Sequence, residues 1–498
     1  MNPKMNDLNW TVGLPEVVLL AALCAVALID LFVEDPRRRV TFWLTQATLA
    51  VYALLHLERL LAGESVIGMQ GMMVADPLSH LLSLSAALAL MLTLAYAQPY
   101  IAGRDLLKGE FYTLSMFVLL GIGVMVSANN FLVVFLGLEL MSLALYALVA
   151  LRRDNANATE AAMKYFVLGA MASGFLLYGL SMMYGATGSL QHDAVFDAIQ
   201  TGKINEGVLV IGLVFIVAGL AFKFGAVPFH MWVPDVYHGA PTAVTLLIAG
   251  APKLAAFGMT IRLLHEALNG LAADWQQMLI VLAVCSLLLG NLVAIAQTNL
   301  KRMLAYSAIA QVGFILLGLT TTVVAGNTLS AANGYSAALF YLVTYVLTTV
   351  GVFGLLMLLS REGRECEQIA DFAGLARRSP WLAGVMTVFM FSLAGIPPTV
   401  GFYAKFAVLQ ALVTTGDTGY IVLAVIAVLL SLVGAFYYLR LVKLMWFDEP
   451  VDATPITWVP RGAAALLAVN GAVVLALGLM PGGLLALCRD VVVNALAI

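Results

Sequence analysis

The sequence carries little charge for its length. Only 11% of its 498 residues are charged, whereas soluble domains carry about 25%. Hydrophobic residues make up 62%, and mean hydropathy is +0.97. Apolar runs of about twenty residues, the length of a membrane-crossing helix, recur along the whole chain. No polar stretch is long enough to form an extramembrane domain. The sequence therefore predicts an all-α polytopic membrane protein rather than a β-barrel.

Residues that hold redox groups are also few. The four cysteines, Cys24, Cys285, Cys366 and Cys488, are far apart and form no CxxC pair. This spacing argues against iron–sulfur ligation and against a disulfide framework. The six histidines include no pair at a spacing typical of haem ligation. We therefore predict that the chain itself binds no cofactor and no metal.

The apolar runs divide into about fourteen spans, at residues 12–33, 40–62, 76–97, 111–128, 130–151, 160–186, 206–238, 241–265, 276–297, 302–322, 333–360, 381–413, 418–446 and 461–487. On this division, sixteen loop Lys and Arg residues lie on one side, with clusters at 37–39, 152–153 and 377–378, and five lie on the other. The positive-inside rule assigns the first side to the cytoplasm and both termini to the outside. The first span lacks a small-residue cleavage site and is predicted to be retained.

Four spans contain an ionisable residue at membrane depth: Glu139, Lys223, Lys253 and Lys405. Each such charge costs about 2.5–3.5 kcal/mol on insertion scales. Buried ion pairs that fix helix register are one explanation, but a single glutamate cannot pair with three lysines. We therefore predict a wetted path in which the lysines exchange protons, because desolvation disfavours a charged amine. Glu139 would control Lys223, and Lys164 is close enough to its span end to reach the surface.

Two spans are too long and too interrupted to be simple helices. Span seven contains Gly225, Pro228 and Pro234, and span twelve contains GIPPTVG at 395–401. Proline leaves backbone groups unpaired at membrane depth, and Lys223 and Lys405 lie beside these breaks. If only one of the two spans were interrupted, a packing kink would be the alternative explanation for its proline.

The two broken spans are five apart and so cross in opposite directions, as inverted repeats require. We expect spans 4–8 to correspond to spans 9–13, because AAMKYFVLGAMASGFLLYG (161–179) is similar to SAALFYLVTYVLTTVGVFG (336–354). The predicted segments are an N-terminal three-helix segment (1–110), two repeats (111–265 and 276–446) and a C-terminal helix (461–498).

Several other polar residues are secondary candidates. His230 lies within the first break and either relays protons between Lys223 and Lys253 or caps the loop. Lys301 lies with Arg302 at a cytoplasmic helix start, where topology alone explains both. The acidic residues near span ends are expected to remain solvated: Asp30, Glu58 and Asp76.

Three motifs together carry a family resemblance. NLKRMLAYSAIAQVGF (299–314), FKFGAVPFHMWVPDVYHGAPT (222–242) and AGIPPTVGFYAKF (394–406) resemble the antiporter-like membrane subunits of respiratory complex I, over essentially the whole chain. The LPE at Leu14–Glu16, the short C-terminus and the lysine at Lys405 resemble one branch of that family. A second branch has glutamate at that last position, and a third carries a long lateral helix.

The resemblance implies residue roles and a setting. Glu139 and Lys223 match the family's span-five glutamate and span-seven lysine, and Lys253 and Lys405 match its central and exit lysines. It implies proton uptake from the cytoplasm, release outside, and coupling to quinone reduction in other subunits of a translocating NADH:quinone oxidoreductase. FMN, iron–sulfur clusters and quinone are expected in partner subunits. The expected surroundings are the bacterial inner membrane, with neighbouring antiporter-like and small membrane subunits.

Two other readings stay open from the sequence. The same core motifs occur in Mrp-type cation/proton antiporters and membrane-bound hydrogenases. Neighbouring genes for flavin and iron–sulfur subunits would favour complex I, whereas sodium-dependent pH tolerance would favour an antiporter. The chain could instead be an inert spacer, in which case replacing Lys253 by methionine would leave proton pumping unchanged.

Overall fold

Helices account for nearly all of the described structure. The computed structural model describes residues 8–104, 106–202, 205–324, 328, 330–360, 365–450, 456 and 458–496. The loop charges Lys4, Lys203, Arg361 and Arg364 lie outside these residues. Twelve of the described helices are long and apolar enough to cross a membrane. Together with the 17-residue first helix and the two-part span twelve, they account for the fourteen predicted spans. The prediction of an all-helical polytopic fold is confirmed.

The α-helices are, in chain order, α1 Leu14–Asp30, α2 Arg39–Ala62, α3 Pro77–Ala102, α4 Gly109–Val126, α5 Phe131–Val149, α6 Ala156–Thr187, α7 His192–Gln200, α8 Glu206–Phe224, α9 Trp232–Gly239, α10 Thr242–Ala249, α11 Ala251–Thr260, α12 Ala272–Ile295, α13 Leu300–Leu319, α14 Ser330–Leu359, α15 Leu375–Arg378, α16 Pro380–Ala394, α17 Val400–Val413, α18 Thr418–Phe447, α19 Arg461–Leu479 and α20 Gly482–Leu496. A π-helix spans Ile261–Ala267, and short 3-10 turns occupy Met69–Gly71, Asn269–Leu271 and Ile369–Phe372. The strands β1 Val66–Gly68 and β2 Met73–Ala75 form an antiparallel hairpin.

Corresponding helices of the two predicted repeats begin and pack in the same way. The side chain of Asn130 caps α5 by accepting from Leu132 N at 2.9 Å, and that of Asn299 caps α13 by accepting from Arg302 N at 3.1 Å. Asparagine at this position satisfies an otherwise unpaired N–H of the first turn. Helix α4 packs closely on α5, and α12 packs closely on α13. At both contacts a glycine allows close approach, Gly121 in α4 and Gly290 in α12, as is common between membrane helices.

Both predicted breaks are present and have the same geometry. Helix α8 ends before Gly225 (φ +76°), where Ala226 N donates to Ala221 O at 2.8 Å. Helix α16 ends before Gly395 (φ +84°), where Ile396 N donates to Phe391 O at 2.9 Å. Each is a left-handed C-terminal cap, which turns the chain out of the helix and pairs carbonyls that would otherwise be unsatisfied.

Span eight contains a third interruption that the sequence reading missed. Helices α10 and α11 meet at Gly250, whose backbone is not helical (φ −102°, ψ −98°). Pro252 follows in the first turn of α11, where it has no N–H to donate and disfavours helical backbone at the residue before it. Lys253 comes directly after this interruption.

The C-terminal segment differs from the prediction. We expected one span at 461–487 and a single C-terminal helix over 461–498. The structure has two helices instead, because α19 ends at Leu479 and α20 begins at Gly482, after Pro481. Pro481, Gly482 and Gly483 mark this break in the sequence, but the apolar residues on both sides were taken as one span. Helix α20 packs against α3 and α14 and buries Cys488 and Val492.

Candidate functional site

Lys223 lies one residue before the end of α8 and turns towards α5. Its Nζ donates to Ser142 Oγ at 2.9 Å, and Ser142 Oγ donates in turn to Leu138 O at 2.7 Å. Ser142 follows Glu139 by three residues, so the two side chains share one face of α5. No salt bridge joins Glu139 to Lys223 among the described contacts, and Glu139 Oε1 is buried without a hydrogen-bond partner there. The serine hydroxyl is therefore the group that contacts the lysine.

Lys253, rather than Lys223, occupies the first helix break. Its Nζ donates to the carbonyl oxygen of Phe224, the last residue of α8, at 3.1 Å. Lys253 is almost fully buried and lies in the first turn of α11. The dipole of α11 opposes a positive charge there, whereas the C-terminal end of α8 favours one. Although Lys223 lies beside this break in the sequence, its side chain reaches α5 instead.

Lys405 occupies the second break in the corresponding way. Its Nζ donates to the carbonyl oxygen of Ala394, the last residue of α16, at 2.9 Å. A second bond, also 2.9 Å, goes to Ser431 Oγ in α18. The ammonium lies 5.3 Å from the centroid of the Phe314 ring. Two lysines thus pair with the C-terminal carbonyls of the two half-helices.

Uncharged polar side chains line the region beside Lys405. Gln311 Nε2 donates to Tyr438 Oη at 2.9 Å and to Leu393 O at 3.0 Å, and Tyr341 Oη donates to Gln311 Oε1. Thr348 Oγ1 lies 3.2 Å from Ser392 Oγ. A cavity of about 10 Å³ among these groups is near the lower limit for one water molecule. The arrangement supplies hydroxyl and amide groups next to the second break.

Several of these hydroxyl groups form a stripe along α14, which we did not predict although the sequence contains a signal for it. Tyr341, Thr344, Tyr345 and Thr348 recur at positions i, i+3, i+4 and i+7 of α14 and so lie on one helix face. Lone hydroxyl residues in apolar spans commonly bond their own backbone, as Thr344 also does with Phe340 O at 2.9 Å. The regular spacing of all four residues would have distinguished a shared hydroxyl face from such isolated hydroxyl residues.

Two of the secondary candidates, Lys164 and His230, have different surroundings. Lys164 is exposed and bonds Glu160 and Asp235, each at 2.8 Å, as expected for a lysine that reaches the surface. His230 is half-buried, and no described hydrogen bond or ion pair joins it to Lys223 or Lys253.

The explanation of Lys301 and Arg302 by topology alone is wrong. Lys301 is buried, donates to Ala240 O at 2.7 Å and pairs with Glu367 at 3.2 Å. Arg302 pairs with Asp235 at 2.9 Å. The bonds to Ala240 and Asp235 join α13 to the end of span seven, and the pair with Glu367 joins α13 to the segment that follows α14. Their partners could not be read from the sequence because they are far away along the chain.

The expectation that Asp76 is solvated is also wrong. Asp76 is fully buried, and its Oδ1 lies 2.7 Å from Arg262 Nη2. It also caps α3, accepting from Ser79 N at 2.8 Å. Arg262 is buried as well, pairs with Glu266 and donates to Val126 O at 2.9 Å. We had counted Arg262 as a loop charge, because its position near a span end does not reveal a carboxylate 186 residues away.

No group of three or more His, Cys, Asp or Glu residues in the described part of the chain is placed to hold a metal ion. The lysines at the breaks hydrogen-bond protein oxygen atoms.

Comparisons with known proteins agree with this arrangement. The family described as NADH:quinone oxidoreductase/Mrp antiporter, transmembrane, matches residues 128–431. The NADH-quinone oxidoreductase subunit N of Herminiimonas arsenicoxydans is 60% identical over 497 residues, covering 99% of this chain and 100% of that protein. A chain of respiratory complex I from Thermus thermophilus is 32% identical, with a TM-score of 0.79, covering 95% of this chain and 98% of that one.

A chain of the Mrp complex from Dietzia sp. has a TM-score of 0.85 but only 21% identity, covering 98% of this chain and 97% of that one, and so shares the fold alone. The family prediction, and the branch chosen from Leu14–Glu16 and Lys405, are confirmed. The chain belongs to the antiporter-like, proton-translocating membrane subunits of bacterial complex I, in the branch of NADH-quinone oxidoreductase subunit N.

Proposed function

We propose that protons cross this chain from the cytoplasm to the outside through Glu139, Lys223, Lys253 and Lys405 in that order. Quinone reduction in other subunits would drive the transfer. The observation that carries the proposal is that all three lysine ammonium groups hydrogen-bond only hydroxyl or carbonyl oxygens among the described contacts. None of the three lysines therefore breaks a contact ion pair with a described carboxylate when it releases its proton.

The first step uses Glu139 to control Lys223. A Glu⁻–Lys⁺ pair about 7 Å apart at an effective dielectric of about 20 interacts by about 2.4 kcal/mol. Neutralising Glu139, or moving it away, withdraws that stabilisation and favours release of the lysine proton. Ser142 Oγ touches Lys223 Nζ at 2.9 Å and shares a helix face with Glu139, so it is placed to pass the proton between them.

After transfer from Lys223 to Lys253, the last step passes the proton from Lys253 to Lys405. Each of these ammonium groups is held at a helix C-terminus, where the dipole favours positive charge. The two lysines are thus similar proton-holding stations. Tyr341, Gln311 and Tyr438 provide exchangeable protons and acceptors beside the second station. Hydroxyl and amide groups, with water, would complete the connection between the lysines.

The remaining features of the proposal concern the complex as a whole. FMN, iron–sulfur clusters and quinone are placed in partner subunits, and the adjoining chains are antiporter-like and small membrane subunits. Both termini face outward, which follows from the loop charges. The three-helix segment 1–110 precedes repeats at 111–265 and 276–446, and 461–498 closes the chain with α19 and α20. The orientation would be tested by fusing, after Ile498, a phosphatase that is active only on the outer side of the membrane. An active fusion is expected if the C-terminus faces outward.

The Lys253→Met variant tests the proposed path. The intact complex would be reconstituted into vesicles, and the number of protons pumped per NADH oxidised would be measured. We expect the variant to assemble and to lose most of its pumping, because methionine keeps the length of the side chain but cannot carry a proton. Lys443→Met is the matched control, since Lys443 is exposed and pairs with Asp448 at the surface. Full pumping by Lys253→Met would instead support an inert spacer.

A further inference from the structure

The N-terminal three-helix segment contains a buried cluster of ionisable side chains outside the proposed path. Glu16 of α1 is 6% exposed, His56 of α2 is 2% exposed and His80 of α3 is 3% exposed. All three precede residues 128–431, the part matched by the family model. Glu16 ends the LPE motif, to which the proposed path assigns no role. Each of these groups is costly to bury unless it is paired or performs a function.

The three side chains form a continuous line. His56 Nε2 lies 3.7 Å from Glu16 Oε1, just beyond hydrogen-bonding range, so a small side-chain movement closes the gap. On the other side of the ring, His56 Nδ1 lies 3.0 Å from His80 Nδ1. Two ring nitrogens at this distance share one proton, because one must donate and the other accept. A proton that arrives at one end of the line can therefore release another at the far end.

His80 connects the line to a surface cavity. The cavity has a volume of about 190 Å³ and is lined by His80, Arg59, Glu64, Thr11 and Ala62, among others. Thr11, Ala62 and Glu64 are exposed, so the cavity opens to the surface. This is the side that carries the N-terminus, which the loop charges assign to the outside.

The inner end of the line has polar atoms without partners. Glu16 Oε2, Tyr52 Oη and His56 Nε2 are all buried with no hydrogen-bond partner among the described residues. Buried polar atoms are usually paired, so these three indicate a proton or water that occupies the site in the working protein. Gly123 of α4 keeps the space open, since a Cβ there would lie 2.4 Å from Tyr52 Oη and 3.1 Å from Glu16 Oε1.

We propose that Glu16, His56 and His80 form a proton relay through which Glu16 exchanges protons with the outer solution. A hydronium ion in the cavity gives its proton to His80 Nε2 and becomes water, and His80 passes its Nδ1 proton to His56 Nδ1. His56 then gives its Nε2 proton to the Glu16 carboxylate. Both rings end neutral with exchanged tautomers, Glu16 ends protonated, and the reverse sequence returns the proton. Only N–H and O–H bonds change.

The charged groups around the relay come from three helices and a loop. Arg59 of α2 and Glu64 line the cavity with His80. Asp76, which caps α3 one turn before His80, is already paired with Arg262. Glu16 lies against α4, the helix that packs on α5 and hence on the helix of Glu139. The relay would therefore let the outer proton concentration set a charge two helices from Glu139. The relay does not depend on proton transfer through Lys253.

Infrared spectroscopy of the resting complex tests the relay without turnover. The complex would be reconstituted in vesicles without NADH, and pH would be changed rapidly on one side. The carbonyl band of protonated Glu16 is identified as the band missing in Glu16→Gln. We expect it to follow pH on the N-terminal side only. His56→Phe and His80→Phe should slow it by at least about 100-fold, the low end of what a positioned proton-transfer group contributes.

Two further variants separate a relay from a structural role. His265→Phe is the matched control, because His265 packs against Tyr335 outside the relay, and it should leave the response unchanged. His80→Ala vacates the space of an imidazole beside the open cavity, so imidazole added on that side should restore a fast response. The proposal is overturned if no Glu16 band titrates, if His80→Phe responds at the normal rate, or if imidazole fails to rescue His80→Ala. The Lys253→Met complex, which is expected to lose pumping, should keep a normal Glu16 response to pH. This result would show that the relay and the pumping path are tested separately.

Discussion

At the scale of single residues, the three buried lysines bind hydroxyl and backbone carbonyl oxygens. An ionisable side chain in a long apolar run is rare enough to indicate function, which identified Lys223, Lys253 and Lys405. The atoms they contact come from distant segments or from the backbone. Lys253 binds the carbonyl of Phe224, 29 residues away. Sequence patterns give the face of a helix on which a residue lies, but not which carbonyl of another helix is left unpaired.

Ser142 provides a test at this scale. In Ser142→Ala, Lys223 loses its hydroxyl partner, which lies on the same face of α5 as Glu139. We expect the protons pumped per NADH to fall while quinone reduction by the rest of the complex persists. Ser142→Thr keeps the hydroxyl and should retain pumping. Equal pumping by the alanine and threonine variants would contradict a role for the hydroxyl in proton transfer.

The buried pair of Asp76 and Arg262 should matter for stability. The side chains are 0% and 1% exposed, and breaking a buried pair costs about 3–5 kcal/mol when the other charge is left uncompensated. Glu266 remains as a second partner of Arg262, so the cost is expected towards the lower end of this range. We therefore expect Asp76→Ala to lower the thermal stability of the purified complex strongly.

A surface pair gives the control for Asp76. Arg377 and Glu449 are both largely exposed, and exposed pairs contribute only about 0–1 kcal/mol. Glu449→Ala should therefore have almost no effect on the melting temperature. If Asp76→Ala and Glu449→Ala shift it equally, the burial argument fails.

At the scale of helices, the breaks follow from a repeated local pattern. In both Gly225–Pro228 and Gly395–Pro398 a glycine with positive φ ends a half-helix three residues before a proline. This pattern could be read from the sequence because glycine permits a left-handed backbone, whereas proline fixes φ and removes an N–H. The break at Gly250 was not predicted because we treated Gly250–Pro252 as ordinary helix sequence. The hairpin of β1 and β2 was not predicted because its strands are only three residues long.

The cap glycines give a prediction about these elements. Alanine at Gly225 or Gly395 would have to adopt a left-handed backbone, which costs about 1–2 kcal/mol. At Gly395 the new Cβ would also lie 2.7 Å from Lys405 Cδ. We expect both variants to be less stable, and Gly395→Ala also to pump less because Lys405 is displaced.

Gly174 is the matched control for the cap glycines. It lies within α6, and an added Cβ there meets nothing within 4 Å. Gly174→Ala should therefore be neutral or slightly stabilising, since alanine is favoured over glycine by about 1 kcal/mol within a helix. A loss of stability in Gly174→Ala as large as that in Gly395→Ala would contradict the proposed role of the left-handed caps.

At the scale of the whole molecule, composition and loop charge were sufficient to predict the class and the number of spans. Apolar run lengths are set by membrane thickness, so they can be counted from hydropathy alone. What could not be predicted was how polar groups of different spans meet. Glu16, His56 and His80 come from three spans and resemble ordinary span-end residues when taken singly. Their convergence depends on how α1, α2 and α3 pack, which hydropathy does not encode.

Gln311 tests the continuity of the path most directly, because it bonds Tyr341, Tyr438 and Leu393 O without carrying charge. Gln276→Leu is the matched control, since Gln276 is equally buried but bonds Thr320 O and Tyr420 away from the lysines. The decisive measurement is the number of protons pumped per NADH oxidised by vesicles that contain the Gln311→Leu complex. We predict a marked loss relative to Gln276→Leu with quinone reduction retained, whereas an undiminished ratio would contradict proton transfer through this network.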